Sequence, residues 1–320
     1  RVDEIVAVAT SAVREAEKAG SDRLDDLTRQ ARIYARVAPA QKLAIVLSLA
    51  RNGHFVAVTG DGVNDAPALK HAHVGVAMGR KGTEVAKESA GIVVTDDNFA
   101  SIVHGISEGR TAYANIRKVI LMSVATGAAE MLLFLLAIPL GLPMPLLPVQ
   151  LLWLNLVTNG IQDVALAGEK PEGDELSRPP RRPKEPIFDQ LMIRRIIFSA
   201  LVIGGGGFAI FYWLLAAGYE VAEARNLLLL LFVMFENVQT VTSRSERRSV
   251  FTSSFFSNPV LLISIIAAQA VHISAMYIPW FRETLELAPI SIAEWAITLL
   301  AASSILLVIE LDKWQCRTGA

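Results

Sequence analysis

Six long apolar segments occupy the last two thirds of the sequence. They lie at about 117–139, 147–167, 194–217, 225–243, 258–279 and 290–310. Each has the roughly 18 to 25 residues that an α-helix needs to cross about 30 Å of hydrocarbon. Six such helices in a row predict a polytopic membrane bundle, and this bundle accounts for most of the chain.

Charged residues are distributed unevenly along the chain. Residues 1–118 contain 30 Lys, Arg, Asp or Glu residues, about a quarter, whereas the other 202 residues contain 31, about 15%. This asymmetry predicts a soluble part, residues 1–116, followed by a membrane part, residues 117–320. The 30 basic and 31 acidic residues leave no electrostatic footprint for nucleic acid. The one cysteine, Cys316, excludes an intrachain disulfide and a Cys-based zinc site.

Basic residues cluster in alternate loops between the apolar segments. Seven lie between Lys170 and Arg195, and three lie between Arg244 and Arg248, whereas the other loops hold only Arg225 and Arg282. Short basic loops stay in the cytoplasm. We therefore expect a multi-pass membrane protein whose N-terminal soluble part and C-terminus are both cytoplasmic.

Polar side chains interrupt the second apolar segment at membrane depth. Five of them stand at offsets 0, 3, 4, 7 and 8, which a 3.6-residue period places on one helix face: Asn155, Thr158, Asn159, Gln162 and Asp163. Gly160 lies within this stripe, where a glycine can loosen the helix and free backbone carbonyls to coordinate a cation.

Two carboxylates lie deep in other apolar segments, Glu130 in the first and Glu236 in the fourth. Such a group costs about 2.5 to 3.5 kcal/mol at membrane depth, so it is a functional candidate. Amides and Glu236 can equally serve as hydrogen-bond partners between helices. The residues alone leave both interpretations open.

The soluble part has the pattern of an α/β site. Residues 22–51 are predicted to be helical with an interruption at Pro39, and an apolar strand at 55–58 ends in Thr59-Gly60-Asp61-Gly62-Val63-Asn64-Asp65. Further apolar runs at 73–78 and 91–94 predict more parallel strands, and ligands bind beyond the carboxyl ends of such strands. Asp61 and Asp65 are oxygen ligands suited to Mg²⁺, and Lys42 can place a charge on a phosphoryl group. These residues indicate phosphoryl transfer, although a GDG or ND pair alone is often only a turn.

The eleven residues Thr59 to Leu69, TGDGVNDAPAL, resemble the hinge signature of P-type ATPases. The similarity continues in register through Arg36-Val37-Ala38-Pro39 and Lys42, Val74 to Gly79, and Pro148 to Thr158, where it is closest to the calcium-pump branch. The resemblance implies a partial HAD-like (Rossmann-like) phosphorylation domain followed by a six-helix transmembrane bundle, equivalent to the fifth to tenth helices of a pump.

The resemblance also implies residue roles. Asp61 would ligate Mg²⁺ with support from Asp65, Lys42 would contact the transferring phosphoryl group, and Arg36 and Asn64 would help to hold ATP or phosphate. In the membrane, Glu130, Asn155 and Thr158 match calcium-ligand positions. Three other ligand positions depart from the family pattern, since they fall at Gly127, Asn159 and Arg244, and Asp163 would restore a carboxylate. The expected cargo is Ca²⁺ or another cation.

The sequence contains no DKTGT motif with the phosphorylated Asp of the family. The resemblance therefore implies that the chain works with the N-terminal half of a pump, in the same or a separate chain, and with membrane lipid around its helices. The alternative is a non-catalytic truncated membrane protein, a passive ion pathway or a binding partner of a full pump.

Overall fold

A computed structural model describes residues 7–18, 20–181, 185–252 and 255–318. It divides the chain into two compact units, residues 1–107 and 108–320. The division lies nine residues before the predicted boundary at 116/117. Residues 182–184, which include two of the basic side chains in the loop predicted to be cytoplasmic, lie outside the described residues.

The first unit alternates short strands and helices. Its elements are β1 (Ala7–Ala9), α1 (Thr10–Lys18), α2 (Ser21–Gln30), β2 (Ile33–Ala35), α3 (Pro39–Arg51), β3 (Ala57–Gly60), α4 (Ala66–His71), β4 (Val74–Met78), α5 (Glu84–Ser89) and β5 (Ile92–Val94). The described strands form two parallel sheets, β1-β2 and β3-β4-β5. Gly60 pairs with Ala77, and Val76 pairs with Ile92. The three predicted strands are therefore present and parallel, although β3 extends two residues further than expected, to Gly60.

The prediction of continuous helix before Pro39 is wrong. The structure has β2 between α2 and α3, and β2 pairs with β1, which was not predicted. Pro39 begins α3 instead of interrupting a helix, because its fixed φ and missing N–H suit the first helical position. The preceding Ala38 is extended, as expected for a residue before proline.

The second unit is helical. The described helices are α6 (Phe99–Ala137), which begins before the unit boundary, α7 (Pro148–Leu152), α8 (Asn159–Ala167), α9 (Gln190–Ser199), α10 (Gly206–Ala216), α11 (Val221–Ser243), α12 (Pro259–Tyr277), α13 (Pro279–Thr284) and α14 (Ile292–Thr318). Two π-helical segments join neighbouring helices, Trp153–Thr158 between α7 and α8 and Ala200–Gly205 between α9 and α10.

Four helical stretches of the described chain are long and apolar enough to cross a membrane: α6, Gln190–Ala216, α12 and α14. The predicted segments at 147–167 and 225–243 are also helical, but they are not among these four, so the count of six spans is not confirmed. The first of these two segments is broken by a π-helical turn and polar side chains. The second, α11, buries 16 of its 23 residues.

Close helix contacts hold α11 in the centre of this unit. A Cβ on Gly207 would lie 2.6 Å from the ring of Phe232, and one on Gly204 would lie 2.4 Å from the carbonyl oxygen of Ala129. Only glycine therefore lets this stretch approach both α11 and α6 so closely. The result is a rigid support for the polar residues of α6, α8 and α11.

Candidate functional site

The loop after β3 brings together the acidic and basic residues predicted from the sequence. The chain leaves β3 at Gly60 and enters a 3₁₀ turn, Val63–Asp65, that leads into α4. Asp65 Oδ1 lies 2.5 Å from the Nζ of Lys42 in the first turns of α3. Asp65 Oδ2 accepts hydrogen bonds from the backbone N–H groups of Asp61 and Gly62, each at 3.4 Å.

Gly60 is required for this arrangement. A Cβ at Gly60 would lie 2.5 Å from the Cβ of Asp65 and 2.9 Å from one of its carboxylate oxygens. The glycine therefore leaves the space in which the Asp65 side chain folds back over the end of β3.

Asp65 is a charged carboxylate at neutral pH. Burial raises its pKa, but the hydrogen bond from Lys42 and those from backbone N–H groups outweigh burial, so the pKa lies below its usual range. Asp61 is exposed beside it. The loop thus presents two carboxylates and a lysine in one small region.

Of the two other residues predicted for this site, one lies inside the loop and the other lies earlier in the sequence, after β2. Asn64 is exposed within the 3₁₀ turn, and Arg36 is exposed directly after β2. Arg36 has φ of 54°, a left-handed conformation that non-glycine residues seldom adopt. Such strained positions cluster at functional sites.

The first pair of predicted membrane residues is in direct contact. Asn155 Nδ2 donates to both carboxylate oxygens of Glu130, at 2.9 and 3.0 Å. Glu130 is buried on α6, and Asn155 lies in the π-helical segment. The two residues therefore link α6 to this segment at the depth of the apolar spans.

A second buried carboxylate, Glu236 on α11, contacts the same π-helical segment at Thr158. Thr158 Oγ1 donates to Glu236 Oε2 at 2.5 Å, and Glu236 is 1% exposed. The other oxygen of Glu236, Oε1, has no hydrogen-bond partner among the described residues, and neither has the buried Oδ1 of Asn159. Two buried acceptors thus lack donors, which is the state that a bound cation relieves.

The predicted single stripe is instead two rows. Asn155 and Asp163 face α6, where Asp163 Oδ2 accepts from Ser123 at 2.9 Å. Thr158 and Gln162 face α11, where Gln162 Nε2 donates to Asn237 Oδ1 at 2.6 Å. The π-helical turn has more residues per turn than an α-helix, so the 3.6-residue spacing does not hold across it.

Gly160 is not the point at which the helix distorts. The π-helical segment ends at Thr158, and Gly160 lies within α8. A Cβ there would meet only the carbonyl oxygen of Asn155 at 3.7 Å, an ordinary contact.

Asp163 lies away from the Glu130 pair. Its partner Ser123 precedes Glu130 by seven residues on α6, a separation of roughly 10 Å along a helix. In this structure Asp163 therefore has a different partner on α6 from the one that Asn155 has.

Arg244 also lies away from the carboxylates. It forms an ion pair of 3.0 Å with the buried Glu169, which accepts a further hydrogen bond from Asn258 at 3.0 Å. Arg244 follows Glu236 by eight residues, roughly 12 Å along α11. The α11 residue in the candidate site is therefore Glu236. From the sequence alone, a purely structural role for Glu236 was equally possible.

Neither buried carboxylate is neutralised by a basic side chain. Among the described residues, Glu130 and Glu236 form no ion pair within 4.0 Å. The same part of the chain has no group of three His, Cys, Asp or Glu residues arranged to hold a metal. A cation here would therefore depend on amide and hydroxyl oxygens as well as on carboxylates.

Two family models match different parts of the chain. Residues 143–315 match the family model "Cation transporting ATPase, C-terminus", and residues 42–106 match a haloacid dehalogenase-like hydrolase model. The chain is 38% identical over 292 residues to the probable cation-transporting ATPase F of Mycobacterium tuberculosis, covering 91% of this chain and 32% of the relative. It is 38% identical over 279 residues to the calcium-transporting ATPase of Bacillus subtilis, covering 87% and 31%.

The similarity extends to animals. The mouse calcium-transporting ATPase type 2C member 2 is 32% identical over 289 residues, covering 90% of this chain and 31% of the relative. The chain thus spans about a third of the length of the curated relatives it matches. It is a multi-pass integral membrane protein with a partial HAD-like unit. The chain belongs to the P-type cation-transporting ATPases, of which it represents the C-terminal portion.

Proposed function

We propose that the chain supplies the magnesium and phosphate-site residues and the cation-binding membrane helices of an ATP-driven cation pump. The observation that carries the proposal is the pair of buried carboxylates, Glu130 and Glu236, which face amide and hydroxyl groups and have no basic partner among the described residues. Uncompensated carboxylates at membrane depth are costly, and a transported cation offsets that cost when it binds.

The cargo ligands are expected on α6, the π-helical segment, the start of α8 and α11. Glu130 and Glu236 would supply charge, and Asn155, Thr158 and Asn159 would supply neutral oxygens, a donor set typical of Ca²⁺. Asp163 would act as a separate carboxylate further along the same helix pair, where it contacts Ser123. The names of the relatives support Ca²⁺ or another cation as cargo.

The soluble unit would take part in phosphoryl transfer. The exposed Asp61 and the charged Asp65 fit Mg²⁺, which when bound neutralises charge on the transferring phosphoryl group. Asp65 also holds Lys42 at the loop, so that its ammonium group can contact a phosphoryl oxygen. Arg36 and Asn64 would hold ATP or phosphate. Family membership in general implies the use of ATP and Mg²⁺.

The missing partner is the N-terminal half of the pump, in the same or a separate chain. Within the described residues β3 pairs only with β4, so one edge of β3 is available for a strand that carries the phosphorylated Asp. Six membrane-spanning helices with both termini cytoplasmic remain our proposal, supported by the basic loops.

A full-length pump containing this chain tests the proposal. Ca²⁺-dependent phosphorylation from ATP is expected, and it should weaken in Glu130→Gln and Glu236→Gln. Ser264→Ala on α12 is a matched control, since among the described residues its hydroxyl donates to a backbone carbonyl alone. Unchanged cation dependence in both carboxylate variants would show that these residues are structural.

A further inference from the structure

A buried histidine contacts the first residue of the segment that carries the candidate cation ligands. His272 on α12 is 0% exposed, and its Nδ1 accepts a hydrogen bond of 3.2 Å from the indole Nε1 of Trp153. Trp153 is the first residue of the π-helical segment that contains Asn155 and Thr158. We propose that His272 is a positioning residue that fixes where this segment begins, and so aims Asn155 and Thr158 at the two carboxylates. This inference rests on the proposed function.

The chemistry of His272 argues against simple packing. A neutral imidazole that accepts at Nδ1 carries its proton on Nε2. Nε2 is buried and has no hydrogen-bond partner among the described residues. A buried donor without an acceptor is destabilising, and an apolar side chain would avoid it. The contact of the imidazole ring that offsets this cost is its hydrogen bond with Trp153.

The chain is held by contacts before and after the π-helical turn. A further contact is needed to fix where the turn starts between them. Before it, Gln150 Nε2 donates to the carbonyl of Leu285 at 2.8 Å, and Trp153 packs edge-on against Phe281 with 5.5 Å between ring centroids. After it, Gln162 is held by Asn237 on α11. The extra residue of the π-helical turn must fall between these anchors. The Trp153 hydrogen bond is the polar contact nearest to its start.

Glycine does not explain the position of the turn. Gly160 lies beyond it in regular helix and has room for a Cβ. The bond between Trp153 and His272 is therefore the structural feature that selects this register.

The test uses the full-length pump with Ca²⁺ as the probe and measures phosphorylation from ATP. His272→Phe keeps a ring but removes the acceptor, and Trp153→Phe removes the donor. Each should raise the Ca²⁺ concentration for half-maximal phosphorylation about tenfold, the usual range for loss of a group that orients a ligand, while the maximum at saturating Ca²⁺ stays unchanged. The double variant should resemble either single variant, since both lose the same bond.

Rescue separates orientation from packing. His272→Asn places an oxygen near the position of Nδ1, so its Ca²⁺ dependence should stay within about twofold of the parent protein. Trp213→Phe, on the exposed face of α10, is the matched control. If His272→Phe does not fold, Trp153→Phe decides, because its ring still packs on Phe281. The inference is overturned if Trp153→Phe has normal Ca²⁺ dependence, or if His272→Asn is as impaired as His272→Phe.

Glu236→Gln distinguishes failure of this inference from failure of the proposed function. If Glu236→Gln responds weakly to Ca²⁺ while Trp153→Phe responds normally, the proposed cation site stands and only the positioning role of His272 is refuted. If both Glu130→Gln and Glu236→Gln respond normally to Ca²⁺, the proposed cation site and the positioning role of His272 are both refuted.

Discussion

The carboxylates of the two units are balanced in different ways. Asp65 in the soluble unit is paired with Lys42 at 2.5 Å and accepts two backbone hydrogen bonds. Glu130 and Glu236 in the helical unit contact only an amide and a hydroxyl among the described residues, and one oxygen of Glu236 has no donor. Basic and backbone groups of the protein balance the first carboxylate, whereas the other two have no basic partner among the described residues.

This difference matches the two roles that we propose. A carboxylate that supports a metal and a phosphoryl group must stay ionised and fixed, and a neighbouring lysine ensures both. A carboxylate that binds cargo must release it again, and a built-in lysine or arginine would compete with the cation. The ion pairs at the end of α11 follow the first pattern, since Arg244 balances the buried Glu169.

The largest effect is expected at Asp61. In the full-length pump, Asp61→Ala should lower phosphoenzyme formation by on the order of 1000-fold, about 4 kcal/mol, because the metal loses a charged ligand. Incorporation of radiolabelled phosphate from ATP measures the amount of phosphoenzyme. Asp26→Ala is the control, since that exposed carboxylate pairs with Arg29 on the same helix. Near-normal phosphorylation in Asp61→Ala would remove the proposed magnesium role.

A stability effect is expected at Arg244. Arg244→Ala leaves Glu169 buried without its ionic partner and should lower the free energy of unfolding by about 3 kcal/mol. The double variant Arg244→Ala/Glu169→Ala should recover part of that loss. Thermal unfolding in detergent measures both. A gain in Ca²⁺ response without destabilisation would instead mean that Arg244 acts on the cation site.

A tenfold effect is expected for the cargo carboxylates. Glu130→Gln and Glu236→Gln should each raise the Ca²⁺ concentration for half-maximal phosphorylation by tenfold or more, about 1.4 kcal/mol. Asp163 contacts Ser123, which precedes Glu130 by seven residues or roughly 10 Å along α6, so the effect of Asp163→Asn should be smaller, about threefold. Equal effects in all three variants would contradict the separation of Asp163 from the site.

Sequence predicted the local parts of both sites best. Asp61 and Asp65 are four residues apart on one loop, and the strand before them is a clear apolar run, so their proximity follows from the chain itself. β2 could not be predicted in the same way, because it is stabilised by pairing with β1, some 26 residues earlier.

The membrane site depends on contacts that are distant in sequence. Thr158 and Glu236 are 78 residues apart, and Trp153 and His272 are 119 apart. The π-helical turn arises from such contacts, which is why a regular helical period gave one stripe where the structure has two rows. Sequence identified most of the polar residues but not which of them meet.

The smallest effect concerns the protonation of Asp65. Lys42→Met removes the hydrogen bond that most lowers the pKa of Asp65, so that pKa should rise relative to the parent protein. A lowered pKa in the folded state contributes stability above the usual aspartate value, near 3.8, and this stability is lost as pH falls through the folded value. Protection against hydrogen exchange at residues 60–66, corrected for the intrinsic exchange rate at each pH, should therefore fall less between pH 5 and 3 in Lys42→Met than in the parent chain. Lys70→Met, on the exposed face of α4, is the control. An identical pH dependence in Lys42→Met would mean that backbone hydrogen bonds alone keep Asp65 ionised, and the contrast between the two kinds of carboxylate would then rest on the backbone and not on the lysine.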